Sequence, residues 1–217
     1  MPNDNLTVKQ QREQRRQEKV AALKAKQAAE RRRNRLGIIG AVVGGVAVIG
    51  LVVSLVIVNA QPQVDPETIE IAGVEEFEGL EGTHVQGVVD YEMTPPAGGP
   101  HNQVWLNCGI YEQPVQNENA VHSLEHGAVW VTYDPSVLSE AEIETLRDAV
   151  PSTYMVVSPF EGLESPVVAS AWGAQVFLDG VEDERLDDFI TKYRQSPNAP
   201  EPGALCSQGV EGEGLIS

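Results

Sequence analysis

The chain has 217 residues and a formal net charge of −17, from 15 Lys and Arg against 32 Asp and Glu. That charge is split: residues 1–35 hold eleven Lys and Arg against four acids, or +7, and the remaining 182 residues carry −24. Beyond residue 35 only Arg147, Arg185, Lys192 and Arg194 are basic, which argues against nucleic acid and anionic membrane surfaces as partners of that part and leaves room for one ordinary domain with appendages.

Residues 1–35 read as a basic cytoplasmic tail. From residue 7 on, Lys, Arg, Gln, Glu and Ala alternate with almost no apolar face, Val20 and Leu23 excepted, which predicts a frayed or disordered arm. Its last turn, RRRNR at 31–35, suits anionic headgroups beside a membrane. An orientation signal accounts for these basic residues without a nucleic-acid partner. Residues 36–58, LGIIGAVVGGVAVIGLVVSLVIV, carry no charge. As a helix they rise about 34 Å, enough for a hydrocarbon core of roughly 30 Å. Basic residues stop at Arg35 and acidic ones begin at Asp65, so the positive-inside rule puts the N-terminus in the cytoplasm and the rest outside. A cleaved signal peptide, with Val58 and Ala60 at the cleavage site, fits poorly. Its charged region would be far too long and its apolar region exceeds the usual length. No cysteine follows directly, which excludes a lipoprotein anchor.

Residues 59–81 read as an acidic stalk and 82–196 as an extracytoplasmic globular domain. THVQGVVDYE at 83–92 predicts a strand, MTPPAGGP at 93–100 a rigid loop, and QVWLNCGIY at 103–111 a second strand. A short helix around Glu118–His126 ends at Gly127, and GAVWVTYD at 127–134 is the clearest strand. Ser139 and Glu142 form a capping box for a helix striped by Ile143, Leu146 and Val150. TYMVVSPF at 153–160 then returns as a strand parallel to the one before the helix. Residues 166–172 and 174–179 read as one further strand or a bent pair, and a helix follows on which Leu186, Phe189, Ile190 and Tyr193 share a face. Residues 197–217 are Pro/Gly-rich and predict a loosely held tail, the surroundings of Cys206 apart. The fold class is α/β or α+β, a small mixed sheet with two or three helices, preceded by one transmembrane helix.

His84, His101, His122 and His126 are the only histidines, and Cys108 lies among them. Clustering of scarce metal-binding side chains points to a metal ion, copper or zinc. On a helix His122 and His126 leave one face a turn apart, with Cys108, His101 or His84 as a third ligand and Met93 or Met155 as a soft axial group. Histidines that cap loops and bond within the core are the other reading. It makes the domain a non-catalytic envelope module whose acidic face meets a protein partner. HSLEH also fits H-x-x-E-H, in which two histidines hold zinc and the glutamate takes a proton, but the helix is short for a peptidase. Cys108 within Asn107-Cys108-Gly109 could serve as the nucleophile of a transferase acting on the cell wall. A Cys108–Cys206 disulfide suits an oxidising compartment and would remove Cys108 from either duty.

GTHVQGVVDY, PPAGGPHNQVWLNCGIYEQPV, AVHSLEHGAVWVTYDP and VVASAWGAQVFLD, in that order, resemble a bacterial family of unknown function, DUF3105, common in actinobacteria. The resemblance covers about residues 72–195, with HSLEHG its most distinctive motif. It implies an N-terminal transmembrane anchor. All four histidines, Cys108, Glu125 and Gly127 fall on its motif positions. The family brings no established reaction, and its shared His and Cys set makes an extracytoplasmic metal role the more attractive expectation.

Overall fold

The computed structural model describes residues 8–59 and 65–216. They fall into two units, divided between Gln63 and Val64.

The first unit is helix α1, Val8–Asn59. Among the described residues it is the one helix long and apolar enough to cross a membrane. The basic arm is helical from Val8 on, where the missing apolar face predicted fraying or disorder. Ala, Gln, Glu, Lys and Arg are all good helix formers, and a helix already begun in the apolar stretch spares the arm a nucleation step. Ala60 of the considered cleavage site, and the start of the stalk up to Val64, lie outside the described residues.

The second unit is built on a six-stranded mixed sheet. Its strands are β1 (Val74–Glu76), β4 (Gly109–Ile110), β5 (Val129–Tyr133), β6 (Met155–Pro159), β7 (Val167–Ala171) and β8 (Ala174–Leu178), in the order β1-β8-β7-β5-β6-β4. The β5–helix–β6 unit gives the expected parallel pair, Val129 opposite Met155, and β7 and β8 form an antiparallel hairpin. The helices are α2 (Asn117–Glu125), α3 (Glu140–Ala149) and α4 (Arg185–Tyr193), with a 3-10 turn at Pro66–Thr68. The Ser139–Glu142 capping box is formed at α3.

Alternation along the strands sorts the core into two layers. Val129, Val131 and Tyr133 of β5 pack with Leu146 of α3 and Leu186, Phe189 and Ile190 of α4. Trp130 and Val156 belong to the other layer, with Ala120 and Leu124 of α2, Leu106 and Tyr111. The Trp130 indole is fully buried and satisfied, donating to Ser158 Oγ at 3.0 Å.

Three expectations change. The segment read as a stalk supplies edge strand β1, because Val74 pairs with Val176, Ile71 and Val74 pack on the core, and Arg185 donates to the Ala72 carbonyl at 3.2 Å. The strand expected over 83–92 shrinks to β2, His84–Val85, which pairs with β3, His101–Asn102. A turn at Gly87, where φ is +95°, cuts it short. Of 103–111 only Gly109–Ile110 joins the main sheet, while Leu106 bridges to Val210.

The C-terminal segment is held throughout its described length. Glu201 N donates to the Glu125 carbonyl at 3.0 Å and Gly203 N to that of His126 at 3.1 Å. Cys206 is bonded to Cys108, Val210 N donates to the Trp105 carbonyl, and Tyr111 bridges to Leu215. Pro and Gly predict irregular backbone here correctly. They do not predict looseness, because backbone bonds to neighbouring segments fix an irregular strap as firmly as a regular one.

Candidate metal centre

Helix α2 carries half of the site, and its polar face is stitched to the segment after β3. Asn119 Nδ2 donates to the Val104 carbonyl at 2.6 Å, and Ser123 Oγ donates to the Leu106 carbonyl at 2.7 Å. Its apolar residues Ala120 and Leu124 meet Trp130 and Val156 of the sheet. The helix stops where Gly127 takes φ +92°, a conformation an L side chain resists, and its N–H reaches back to the Leu124 carbonyl at 2.9 Å. The same glycine passes within 3.1 Å of the Gln195 backbone, measured from where a Cβ would stand.

Parallel pairing of β2 with β3 sets His84 directly beside His101. α2 brings His122 and, one turn on, Glu125 to meet them. Four ligand atoms, one each from His84, His101, His122 and Glu125, lie within 4.8 Å of one another. Glu125 Oε2 is the hub: it stands 3.0 Å from His101 Nε2 and 3.9 Å from the Nε2 atoms of both His84 and His122. The side chains of His101, His122 and Glu125 are 0%, 5% and 7% exposed, and that of His84 is 51% exposed.

Backbone carbonyls fix which ring nitrogens are free. His101 Nδ1 is 2.8 Å from the Gly99 carbonyl and His122 Nδ1 is 2.6 Å from that of Asn102. A carbonyl only accepts, so each Nδ1 carries the proton, and in the neutral ring each Nε2 is a lone pair aimed at the cluster. His122 is held neutral chiefly by burial, which lowers its pKa from 6.5 to about 4. The Asn102 hydrogen bond opposes that shift, and the neighbouring His126, His101 and His84 add to it. His101 Nε2 is buried and makes no hydrogen bond. It stands 3.0 Å from Glu125 Oε2. Whenever the ring bears a lone pair at Nε2, that nitrogen and the carboxylate oxygen face each other out of water with no positive partner between them.

The geometry and the donor chemistry fit a divalent ion. Four ligands at about 2.0–2.2 Å around a tetrahedral ion stand roughly 3.4 Å apart, a value the three Glu125 distances bracket. Nδ1–H bonded to a carbonyl is also the usual outer support of a metal-binding histidine.

The other expected site residues lie around this cluster. The His126 ring is 4.6 Å from that of His122, centroid to centroid, but it caps α2 and turns elsewhere. Its Nδ1 donates to the Leu205 carbonyl at 2.7 Å and its Nε2 is 3.6 Å from Glu201 Oε2. Helical spacing brings the two rings together without aiming their nitrogens at one point. The H-x-x-E-H arrangement of a peptidase is therefore not formed, since Glu125 sits among the histidines and His126 faces Glu201. Cys108 is paired with Cys206, Cα to Cα 5.3 Å, so its sulfur is neither thiolate ligand nor nucleophile. Met155 is buried with Val129 and Val131 in the layer behind the sheet, away from α2. Met93 lines a surface cavity with Leu80, Tyr91 and Pro100. Trp105 and Trp172, not anticipated from sequence, pack against the rings, Trp105 5.8 Å from His122 and Trp172 edge-on 5.7 Å from His101.

The family described as "Protein of unknown function (DUF3105)" matches residues 84–208, more than half of the chain. The matched region opens at His84 and takes in both disulfide cysteines. Neither the curated proteins nor the solved structures yield a match. The chain belongs to the DUF3105 family.

Proposed function

We propose that this is a single-pass membrane protein whose extracytoplasmic domain binds one zinc or copper(II) ion through His84, His101, His122 and Glu125. In this reading residues 1–35 face the cytoplasm, 36–58 span the membrane and the remainder lies outside. The orientation rests on the abrupt end of basic residues at Arg35, and the Cys108–Cys206 bond supports it, because disulfides persist in oxidising compartments. One observation carries the metal reading: the buried His101 Nε2, which makes no hydrogen bond, stands against a buried carboxylate with two further imidazoles around the same oxygen.

The donor set, three nitrogens and an oxygen with no sulfur, favours zinc or copper(II) over copper(I), which prefers thiolate and thioether. Four protein ligands also make a closed first shell, the pattern of a holding site rather than of a catalytic one with a position left for water. Binding, not turnover, is the activity that follows. The test is isothermal titration of the purified full chain in detergent, after stripping with chelator, with zinc and with copper(II). One ion per chain at micromolar affinity or better is expected. An unresponsive chain would return the histidines to a purely structural role in an envelope interaction module.

A further inference from the structure

Among the four donors His84 stands apart in three ways. It is half exposed while the others are almost fully buried. Among the described residues no hydrogen bond fixes its ring, whereas the rings of His101 and His122 are each pinned through Nδ1. Its strand also leads within a few residues to Gly87 and the 96%-exposed Val88, whereas the equally short strand of His101 is tied to α2 through the Asn102 carbonyl that accepts from His122. The other three ligands ride on α2 and on the strand stitched to it.

Resting on the metal reading above, we infer that His84 is the exchangeable ligand, and that this domain passes its ion on through that edge to an incoming imidazole donor. The step is a ligand substitution with no change of oxidation state. The bond from the ion to an incoming nitrogen forms, the bond to His84 Nε2 breaks, and His101, His122 and Glu125 keep hold until further donors have arrived. Net charge narrows the choice of acceptor. A region of −24 repels anionic donors and favours neutral or cationic ones, so an imidazole-bearing segment of a less acidic partner suits the exposed edge better than a carboxylate cluster.

Gly82 belongs to the same device. A Cβ there would stand 2.5 Å from Glu125 Oε1. A side chain at 82 would therefore press on the carboxylate whose Oε2 stands 3.0–3.9 Å from the three rings' Nε2 atoms.

The experiment uses the full chain loaded with one equivalent of zinc, with release followed by a chromogenic chelator at several concentrations. Wild type should release at a rate that rises with chelator concentration, the mark of substitution by an incoming ligand. His84→Ala should still load one ion but release it at least about tenfold faster. Even loss of an outer-shell partner costs about 10–100-fold in affinity, and here a ligand itself is removed. His101→Ala should fail to load stoichiometrically. If His84→Ala fails to load as His101→Ala does, or releases at the wild-type rate, the inference is wrong while the metal site stands. A wild-type chain that loads no zinc would remove both.

Discussion

Replacing His101 by Ala should lower the affinity of the full chain for zinc on the order of 100-fold or more, beyond what loss of an outer-shell partner costs. The ring is fully buried, its Nδ1 proton is committed to Gly99, and its Nε2 is the nitrogen nearest the Glu125 carboxylate, at 3.0 Å. Among the described residues neither remaining histidine or cysteine candidate can swing into its place, because His126 is turned to Leu205 and Glu201 and Cys108 is oxidised. Competition against a chelator of known affinity measures the loss. Thermal unfolding of the stripped variant provides the control, since emptying a buried site also costs packing. An affinity within about threefold of wild type, on a variant that folds, would mean that the ion sits elsewhere.

The second large effect belongs to the disulfide. Cys108 and Cys206 are 98 residues apart, and a loop of that length implies a stabilisation of about 4–5 kcal/mol in the chain-entropy model. The double variant Cys108→Ser/Cys206→Ser should therefore unfold at a markedly lower urea midpoint, with the strap at residues 199–210 the first part to lose protection from hydrogen exchange. That strap supplies the carbonyl of Leu205 to His126 and the amide of Glu201 to the last turn of α2. Intact mass after alkylation without reductant should show no added group on the wild-type chain. Two labels, or a double variant less than about 1 kcal/mol weaker, would contradict the bonded strap.

Much of the fold was legible because its elements carry their own periodicity. β5 through α4 follow from alternation, from the Ser139–Glu142 cap and from the helical spacing of Leu186, Phe189, Ile190 and Tyr193. The N-terminal part of the domain was less legible. β2 and β3 are two residues each, too short for any pattern, and their pairing is decided by the loop between them. Edge strand β1 hides in an acidic segment because two of its three residues are exposed glutamates and Val74 is its one apolar residue on the core.

The candidate site was half readable. Four histidines drew attention by scarcity, but spacing on a helix put weight on His126, which the helix end redirects. The H-x-x-E-H pattern casts Glu125 as a proton acceptor and not as a ligand, although its place three residues after His122 on one helix face is the available signal. Nothing local in the sequence sets His84 beside His101, since that contact is a register between strands 17 positions apart. The strap is equally remote. Its Gly-rich composition reports backbone freedom, while the Trp105 and Cys108 contacts that use it lie about a hundred residues earlier in the chain.

The most direct test of the central claim is X-ray absorption on the full chain carrying one zinc ion. The account predicts a first shell of four nitrogen and oxygen scatterers at about 2.0–2.2 Å, with outer-shell features of three imidazoles and no sulfur at about 2.3 Å. A sulfur in the first shell, or a single imidazole, would contradict the assignment of His84, His101, His122 and Glu125.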